Sequence, residues 1–163
     1  TGSGNRLVRR SGHLVYAMRV TETLSFREYD ADCRFQAKKP FRRGSRKQSC
    51  GDNIYYRDAA NKRWLQRHSF HTAADGSRQE SHVTRDTGVD RVLVSNHFVY
   101  FGGEGPRIPA NLKAKDGRPL TKSGIGRYVF DDPALIAKVE AWIMSVGDPG
   151  YQGAPFEWIT LRG

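Results

Sequence analysis

The stretch Arg91–Phe101 constrains the fold most, because it has the pattern of one long β-strand. At the two-residue period of a strand, one face carries Val92, Val94, Asn96, Phe98 and Tyr100 and the other carries Leu93, Ser95, His97, Val99 and Phe101. Both faces are apolar at the two ends of the stretch, which is typical of a strand inside a sheet. Asn96 and His97 interrupt the pattern and indicate either a bulge or the polar wall of a pocket. We therefore predict a central strand over Val92–Phe101.

Shorter stretches predict the other elements of an α+β protein. His13–Val20, Ile54–Tyr56 and Trp64–Gln66 are rich in apolar and aromatic residues and predict strands. Ser25 followed by Glu28 has the spacing of a capping box and predicts a helical turn. The whole pattern indicates five to seven short strands.

One longer helix is predicted over Pro133–Ser145. Asp131 and Asp132 precede its proline, and both residue types favour the start of a helix. We expect this helix to pack on the sheet through a shared apolar face of Ile136, Val139 and Ile143, which Leu135, Trp142 and Met144 widen.

The charge of the chain restricts its partners. It has 163 residues with a net charge of +10, so we expect one domain, residues 1–163, that attracts polyanions. Nucleic acid is the leading partner class, and the alternative is a protein that is simply basic. No apolar run approaches the roughly 20 residues of a membrane helix. Cys33 and Cys50 lack a CxxC spacing, so we expect a reducing cytoplasm.

A basic segment precedes a turn, Gly51-Asp52-Asn53, that leads into a strand. The segment contains six cations, Lys38, Lys39, Arg42, Arg43, Arg46 and Lys47. Polar side chains at a strand end, beside such a segment, indicate a site for a polyanion that is read or altered. The alternative is an ordinary turn beside a solvated loop. We favour phosphate contacts for the segment, because Phe41 lies within it and Tyr55 and Tyr56 follow.

Four strand aromatics are candidates for stacking on a base: Tyr16, Tyr55, Phe98 and Tyr100. Stacking on one aromatic ring contributes roughly 1–3 kcal/mol per base. Most strand aromatics belong to the core, so we expect only one or two of the four to line a pocket.

Histidines follow the strand that ends near Gln66. His68 and His71 have a spacing seen in zinc sites, and His82 is a third candidate ligand, but nothing nearby completes a zinc pattern. His71, His82 and Asp86 are also candidates for proton transfer. The third interpretation is that these histidines are structural or lie on the surface. The sequence identifies no cofactor.

Several of these pieces, in their order along the chain, resemble the second nucleotide-modification-associated domain family of bacteria and phages. The matching pieces are Leu14–Glu22, Tyr29–Phe35 continuing to Lys39-Pro40, Cys50–Tyr55, Ser69 with His71 and His82, and Val92–Ser95 continuing to Phe98–Gly102. They cover residues 1 to about 112, and the helix and tail that follow lie outside them. The resemblance implies that family members begin upstream of Thr1.

The layout is also similar to the PUA-like superfamily, which includes the EVE, ASCH and YTH domains. This similarity implies a small mixed β-barrel with a pocket that stacks a flipped or single-stranded base. The implied pocket residues are Ser3, Tyr16, Asp52, Asn53, Tyr55, Phe98 and Tyr100.

Two functions follow as expectations. The first is a domain that binds nucleic acid, DNA rather than RNA, and recognises a modified or extruded base in connection with base modification or phage defence. The alternative is a base-modifying enzyme, with or without a metal, that uses His71, His82 and Asp86. A nuclease of restriction or defence type is a third possibility. For the first function, we expect Asn53→Ala to weaken base binding with little loss of stability.

Overall fold

The computed structural model describes residues 11–122 and 127–155. Most of its strands and helices are short. The strands are β1 Tyr16–Arg19, β2 Glu22–Leu24, β3 Tyr55–Arg57, β4 Trp64–Gln66, β5 Val92–Val94, β6 His97–Tyr100 and β7 Gly150–Tyr151. The α-helices are α1 Phe26–Ala31, α2 Arg46–Ser49, α3 Glu80–Asp86 and α4 Pro133–Val146, and 3₁₀ helices cover Cys33–Lys38 and Gly102–Glu104. The predicted α+β class, with one main helix near the C-terminus, is confirmed.

The contacts within the chain divide it into two units. We call one of them the terminal unit; it consists of the described part of Thr1–Arg19 and Ser95–Gly163. The other, which we call the central unit, consists of Val20–Val94. The assignment of residues 1–163 to a single domain stays a prediction.

The terminal unit contains a mixed three-stranded sheet in the order β1-β6-β7. β6 runs antiparallel to β1, with Tyr16 opposite Tyr100, and parallel to β7, with Tyr100 beside Tyr151. The middle position of β6 agrees with the apolar pattern of its sequence.

Helix α4 covers one face of this sheet. The core cluster consists of Leu14, Val99 and Phe101, against which Ala17, Ile108, Trp142, Ile143 and Val146 pack. Ile143 therefore packs as predicted. Leu135 and Trp142 of the predicted face are also buried or packed on the core, whereas Ile136 and Met144 are exposed. The predicted face is therefore wrong at Ile136 and Met144.

The predicted capping signals determine where two helices begin. The Ser25 hydroxyl accepts from the Glu28 amide, and the Glu28 carboxylate accepts from the Ser25 amide at 2.7 Å. At α4, an oxygen of Asp132 accepts from the Ala134 amide at 3.0 Å, with Pro133 in the first turn. These signals are local in sequence, which is why they could be recognised there.

The central unit contains two antiparallel strand pairs, β2–β5 and β3–β4. Its core cluster is Ile54, Tyr55 and Val83, with Phe26 and Trp64 packed against it. Val83 is the buried residue of α3, a helix that the sequence analysis does not predict.

The strand predicted over Val92–Phe101 is two strands. The Ser95 hydroxyl donates to the main-chain oxygen of His97 at 2.8 Å and accepts from the His97 amide at 3.0 Å. At the junction of β5 and β6, these local hydrogen bonds interrupt the hydrogen bonding of the strand. The interruption coincides with the polar residues that break the apolar pattern of the sequence. Val94 and Ser95 also mark the passage of the chain from the central to the terminal unit.

The described strands do not form the predicted barrel. Across residues 11–122 and 127–155 they make one three-stranded and two two-stranded sheets. Within the same residues no helix is long and apolar enough to cross a bilayer, since the longest, α4, has 14 residues.

Candidate functional site

Aromatic side chains cover the sheet face opposite α4 in the terminal unit. Alternation along β1, β6 and β7 gives this face five residues, Tyr16, Met18, Phe98, Tyr100 and Tyr151. We call this set the aromatic face. The other face carries Ala17 and Val99, which belong to the core beneath α4. The sheet therefore has one face packed on a helix and a second face of aromatic rings.

Three rings of the aromatic face contact each other, and part of the face is exposed while Phe98 and Tyr100 are half-buried. Tyr151 meets Phe98 edge to face at 5.3 Å between ring centroids and meets Tyr100 at 5.8 Å. Tyr16 is 54% exposed and Tyr151 is 75% exposed. Exposed large aromatics in contact with each other offer a stacking surface for a planar ligand.

A cavity of about 500 Å³ lies between the sheet and α4, on the side of the sheet opposite the aromatic face. Its apolar lining includes Ala17 and Val99 of the sheet and Ile143 and Met144 of α4, as well as Met18 and Phe98. Its polar lining consists of Arg19, His97, Glu140 and Asp148. The volume lies within the range of small-molecule sites, and the lining combines apolar walls with a few polar groups.

The Gly51-Asp52-Asn53 turn is bound to other parts of the central unit, and its predicted role in a base pocket stays a prediction. Asn53 is only 1% exposed, and its Nδ2 donates to the main-chain oxygens of Tyr29 at 3.3 Å and Phe35 at 3.4 Å. Its main-chain amide donates to the oxygen of Lys38 at 3.0 Å. The amide nitrogen that the sequence analysis assigns to a base is thus bound to the chain's own backbone. Through these hydrogen bonds, Asn53 connects the 3₁₀ helix Cys33–Lys38 to the chain that leads into β3.

Gly51 and Asp52 support the same connection. A Cβ at Gly51 would overlap the main-chain oxygen of Lys38 and lie 2.8 Å from the nitrogen of Pro40, so only glycine fits. Asp52 Oδ1 accepts from the Tyr29 hydroxyl at 2.7 Å. Burial of Tyr29 and this hydrogen bond raise the pKa of Tyr29. Neither Asp52 nor Asn53 lines the cavity of the terminal unit.

The basic segment Lys38–Lys47 has two kinds of cation. Lys38 is 3.5 Å from Asp52 and Lys39 is 3.1 Å from Asp30, so both have carboxylate partners. The other four, which form no ion pair within the described residues, are Arg42, Arg43, Arg46 and Lys47. All four are exposed and are free to contact phosphate.

A second cluster in the central unit joins Tyr55, His71 and Asp86. The Tyr55 hydroxyl donates to Asp86 Oδ2 at 2.6 Å, and Nδ1 of His71 lies 3.0 Å from the same oxygen. Because a carboxylate only accepts, Nδ1 of His71 carries the proton of that bond, and Nε2 is the other ring nitrogen. His82 Nδ1 donates to the main-chain oxygen of His71 at 2.9 Å, with the two rings 5.4 Å apart.

The electrostatics of this cluster keep Asp86 ionised. Its burial raises the pKa of Asp86, but hydrogen bonds from Arg85, Tyr55 and His71 outweigh that effect and lower the pKa to about 2. Burial and the hydrogen bond to Asp86 raise the pKa of Tyr55. The His71 side chain is 42% exposed. A fixed carboxylate behind an accessible imidazole is an arrangement suited to proton transfer.

The metal candidates do not form a cluster in the described part of the chain. His71 and His82 come together, while His68 is exposed with its ring against Gly76. Residues 11–122 and 127–155 contain no group of three or more His, Cys, Asp or Glu side chains that could hold a metal ion.

The structure thus brings some predicted site residues together and separates others. Tyr16, Phe98 and Tyr100 share the aromatic face, whereas Tyr55 belongs to the cluster of the central unit. Ser3 lies outside the described residues. A cavity that joins Ser3 and these aromatics with Asp52 stays a prediction.

Two exposed aromatics were missed, Phe70 and Tyr151. Tyr151 follows the helix-ending Gly147-Asp148-Pro149-Gly150, in a tail whose sequence predicts a last strand or an aromatic clasp, and it is not among the predicted stacking residues. Phe70 lies between two polar residues, Ser69 and His71, and follows the basic segment in the chain. An aromatic residue in such a polar and basic stretch indicates an exposed ring.

Comparison with protein families gives one match. A family model described as nucleotide modification associated domain 2 matches residues 1–162, and it therefore includes the C-terminal helix and tail that lie outside the resembling pieces. Comparison with curated proteins and with solved structures gives no match.

Proposed function

We propose, from the premise that this chain belongs to the nucleotide modification associated domain 2 family, that it binds nucleic acid and recognises a modified or extruded base. The aromatic face is the observation that carries the proposal. Tyr16 and Tyr151 of this face are exposed, and Tyr151 contacts the half-buried rings of Phe98 and Tyr100. Stacking on such rings suits every base because each base has a π-face.

The cavity between the sheet and α4 gives the proposal its recognition element. An extruded base in this cavity and a base stacked on the aromatic face would occupy opposite faces of the same sheet. His97 and Asp148 offer a donor or acceptor to a substituent on the extruded base. Extrusion of the base, in the manner of the PUA-like and EVE-like domains, is part of this proposal.

Stacking is tested with single-stranded DNA that contains 2-aminopurine, a base whose fluorescence falls when it stacks. We expect Tyr16→Leu and Tyr151→Leu each to weaken binding about tenfold, within the roughly 1–3 kcal/mol per stacked base, and to reduce the quenching. Val129→Ala is the control, because Val129 is an exposed apolar residue of the same unit that lies outside the face. Unchanged affinity and quenching in both tyrosine variants would contradict the proposal.

A second candidate function, base modification, is supported by one specific observation. Asp86 holds Nδ1 of His71 at 3.0 Å, and the imidazole is partly exposed, so Nε2 of His71 can accept a proton from a substrate. We expect the protein incubated with DNA to change the mass of one nucleoside after digestion, and His71→Gln to abolish the change. Identical nucleoside masses with and without wild-type protein would contradict this candidate.

A further inference from the structure

The residues of the basic segment from Phe41 onward are ordered by their own hydrogen bonds. The Gly44 amide donates to the main-chain oxygen of Phe41 at 3.0 Å, and the Phe41 amide donates to the oxygen of Gln48 at 2.9 Å. Ser45 and Gln48 form a capping box at the start of α2. These bonds join a turn and a short helix into one ordered excursion of the backbone.

Two phenylalanines are exposed at this excursion. Phe41 is 56% exposed and Phe70 is 60% exposed. The guanidinium carbon of Arg42 lies 4.0 Å from the centroid of the Phe70 ring, which is a cation–π contact. Arg42 follows Phe41 in the chain and contacts Phe70 through its guanidinium, so the three residues belong to one region of the central unit. We call Phe41, Arg42 and Phe70 the Phe–Arg surface.

Positive charge without a carboxylate partner surrounds the Phe–Arg surface. Arg43, Arg46 and Lys47 share the excursion with Arg42, and none of the four forms an ion pair within residues 11–122 and 127–155. Exposed rings together with unpaired cations fit a ligand that has both planar groups and phosphates.

We infer that the Phe–Arg surface is a binding site for single-stranded nucleic acid, with bases stacked on Phe41 and Phe70 and phosphates bound by the neighbouring arginines. A duplex offers the same phosphates, but its bases are stacked inside and cannot reach the two rings. The surface thus distinguishes single strands from duplexes. This inference rests on the proposed function for the class of ligand, but it concerns different residues and a different property of the nucleic acid.

The experiment measures the affinity of labelled oligo(dT), oligo(U) and a duplex of the same length by fluorescence anisotropy over a range of KCl concentrations. We expect Phe41→Leu and Phe70→Leu each to weaken single-strand binding about tenfold and to leave duplex binding unchanged. Stacking releases no counterions, so a plot of log affinity against log KCl concentration should keep its slope in these variants. The whole line should shift to lower affinity. Oligo(dT) compared with oligo(U) distinguishes a DNA from an RNA ligand.

Two controls accompany these variants. Val89→Ala removes an exposed apolar side chain of the same unit that carries no ring, and it should bind like wild type. Both phenylalanines are more than half exposed, so their leucine variants should melt at the wild-type temperature, and circular dichroism checks this.

The outcomes separate this inference from the proposed function. Folded phenylalanine variants that bind oligo(dT) and oligo(U) as tightly as wild type, or that lose single-strand and duplex affinity equally, overturn the inference alone. In that case the loss of 2-aminopurine quenching in Tyr16→Leu still supports the proposed function. A wild-type protein that binds none of the three ligands overturns both.

Discussion

The Tyr55 hydroxyl donates a hydrogen bond of 2.6 Å to Oδ2 of Asp86, although the two residues are 31 positions apart in the chain. The bond joins β3 to the last residue of α3 and fixes the carboxylate behind His71. It also couples the stability of the central unit to pH, because the carboxylate must remain ionised to accept from both partners.

The first prediction follows from the lowered pKa of Asp86. The folded-state value of about 2 lies below the ordinary value of 3.8, so its stabilising contribution is present above pH 4 and is lost as the pH falls from about 4 to about 2. At about 1.4 kcal/mol per pKa unit, Asp86→Asn should lower the free energy of unfolding at pH 7 by about 2 kcal/mol. Urea unfolding at several pH values measures this.

The difference between wild type and Asp86→Asn should shrink toward zero near pH 2. Asp131→Asn is the control, because Asp131 is exposed and forms no ion pair within the described residues. A difference of constant size from pH 7 to pH 2 would show that the variant acts through packing and not through the charge.

The second prediction concerns Asn53. Removing its amide leaves the main-chain oxygens of Tyr29 and Phe35 without their donor in a buried position. Asn53→Ala should therefore lower the free energy of unfolding by about 1–3 kcal/mol, measured by urea unfolding. Asp52→Asn keeps an acceptor for the Tyr29 hydroxyl and should cost less. If Asn53→Ala unfolds like wild type but loses base affinity, Asn53 reads a base after all.

The third prediction concerns Gly51. An alanine methyl group would overlap the Lys38 oxygen, and both crowding atoms belong to the backbone, so a rotamer change cannot relieve the overlap. We expect Gly51→Ala to cost about 1–3 kcal/mol in the same measurement. Gly88→Ala is the control, since the nearest atom to its Cβ would be 3.4 Å away. Equal stability of the two alanine variants would contradict the connecting role of the turn.

Elements determined by neighbouring residues could be predicted from the sequence. The Ser25–Glu28 capping box and the Asp132–Pro133 start of α4 depend on side chains within one helical turn, and both are present. Helix α3 was missed because Gln79 makes no side-chain cap and Val83 is its only buried residue, so it has neither a start signal nor an apolar stripe.

Features that depend on distant partners could not be predicted in the same way. The polar interruption at Asn96 and His97 was visible, but its consequence, that β5 pairs with β2 while β6 pairs with β1, depends on strands about 70 to 80 residues away. Asn53 was assigned to a pocket for a similar reason. Its residue type fits both a base edge and a backbone carbonyl, and the backbone partner, Tyr29, is 24 positions away in the chain.

The last prediction concerns the charge of the basic segment. Replacing Arg42, Arg43, Arg46 and Lys47 by Ala removes the four cations that form no ion pair in the described part of the chain. Each lost phosphate contact should reduce the log–log salt slope for single strands by about 0.7, so the quadruple variant should bind more weakly and with a slope flatter by up to about 3. Anisotropy titrations at several KCl concentrations measure both quantities. Arg34→Gln is the matched control, because Arg34 is an exposed arginine whose charge is already bound by Glu22 and Asp32, and its slope should equal that of wild type. An unchanged slope in the quadruple variant would show that the basic segment is only a solvated surface and would move the phosphate contacts elsewhere on the protein.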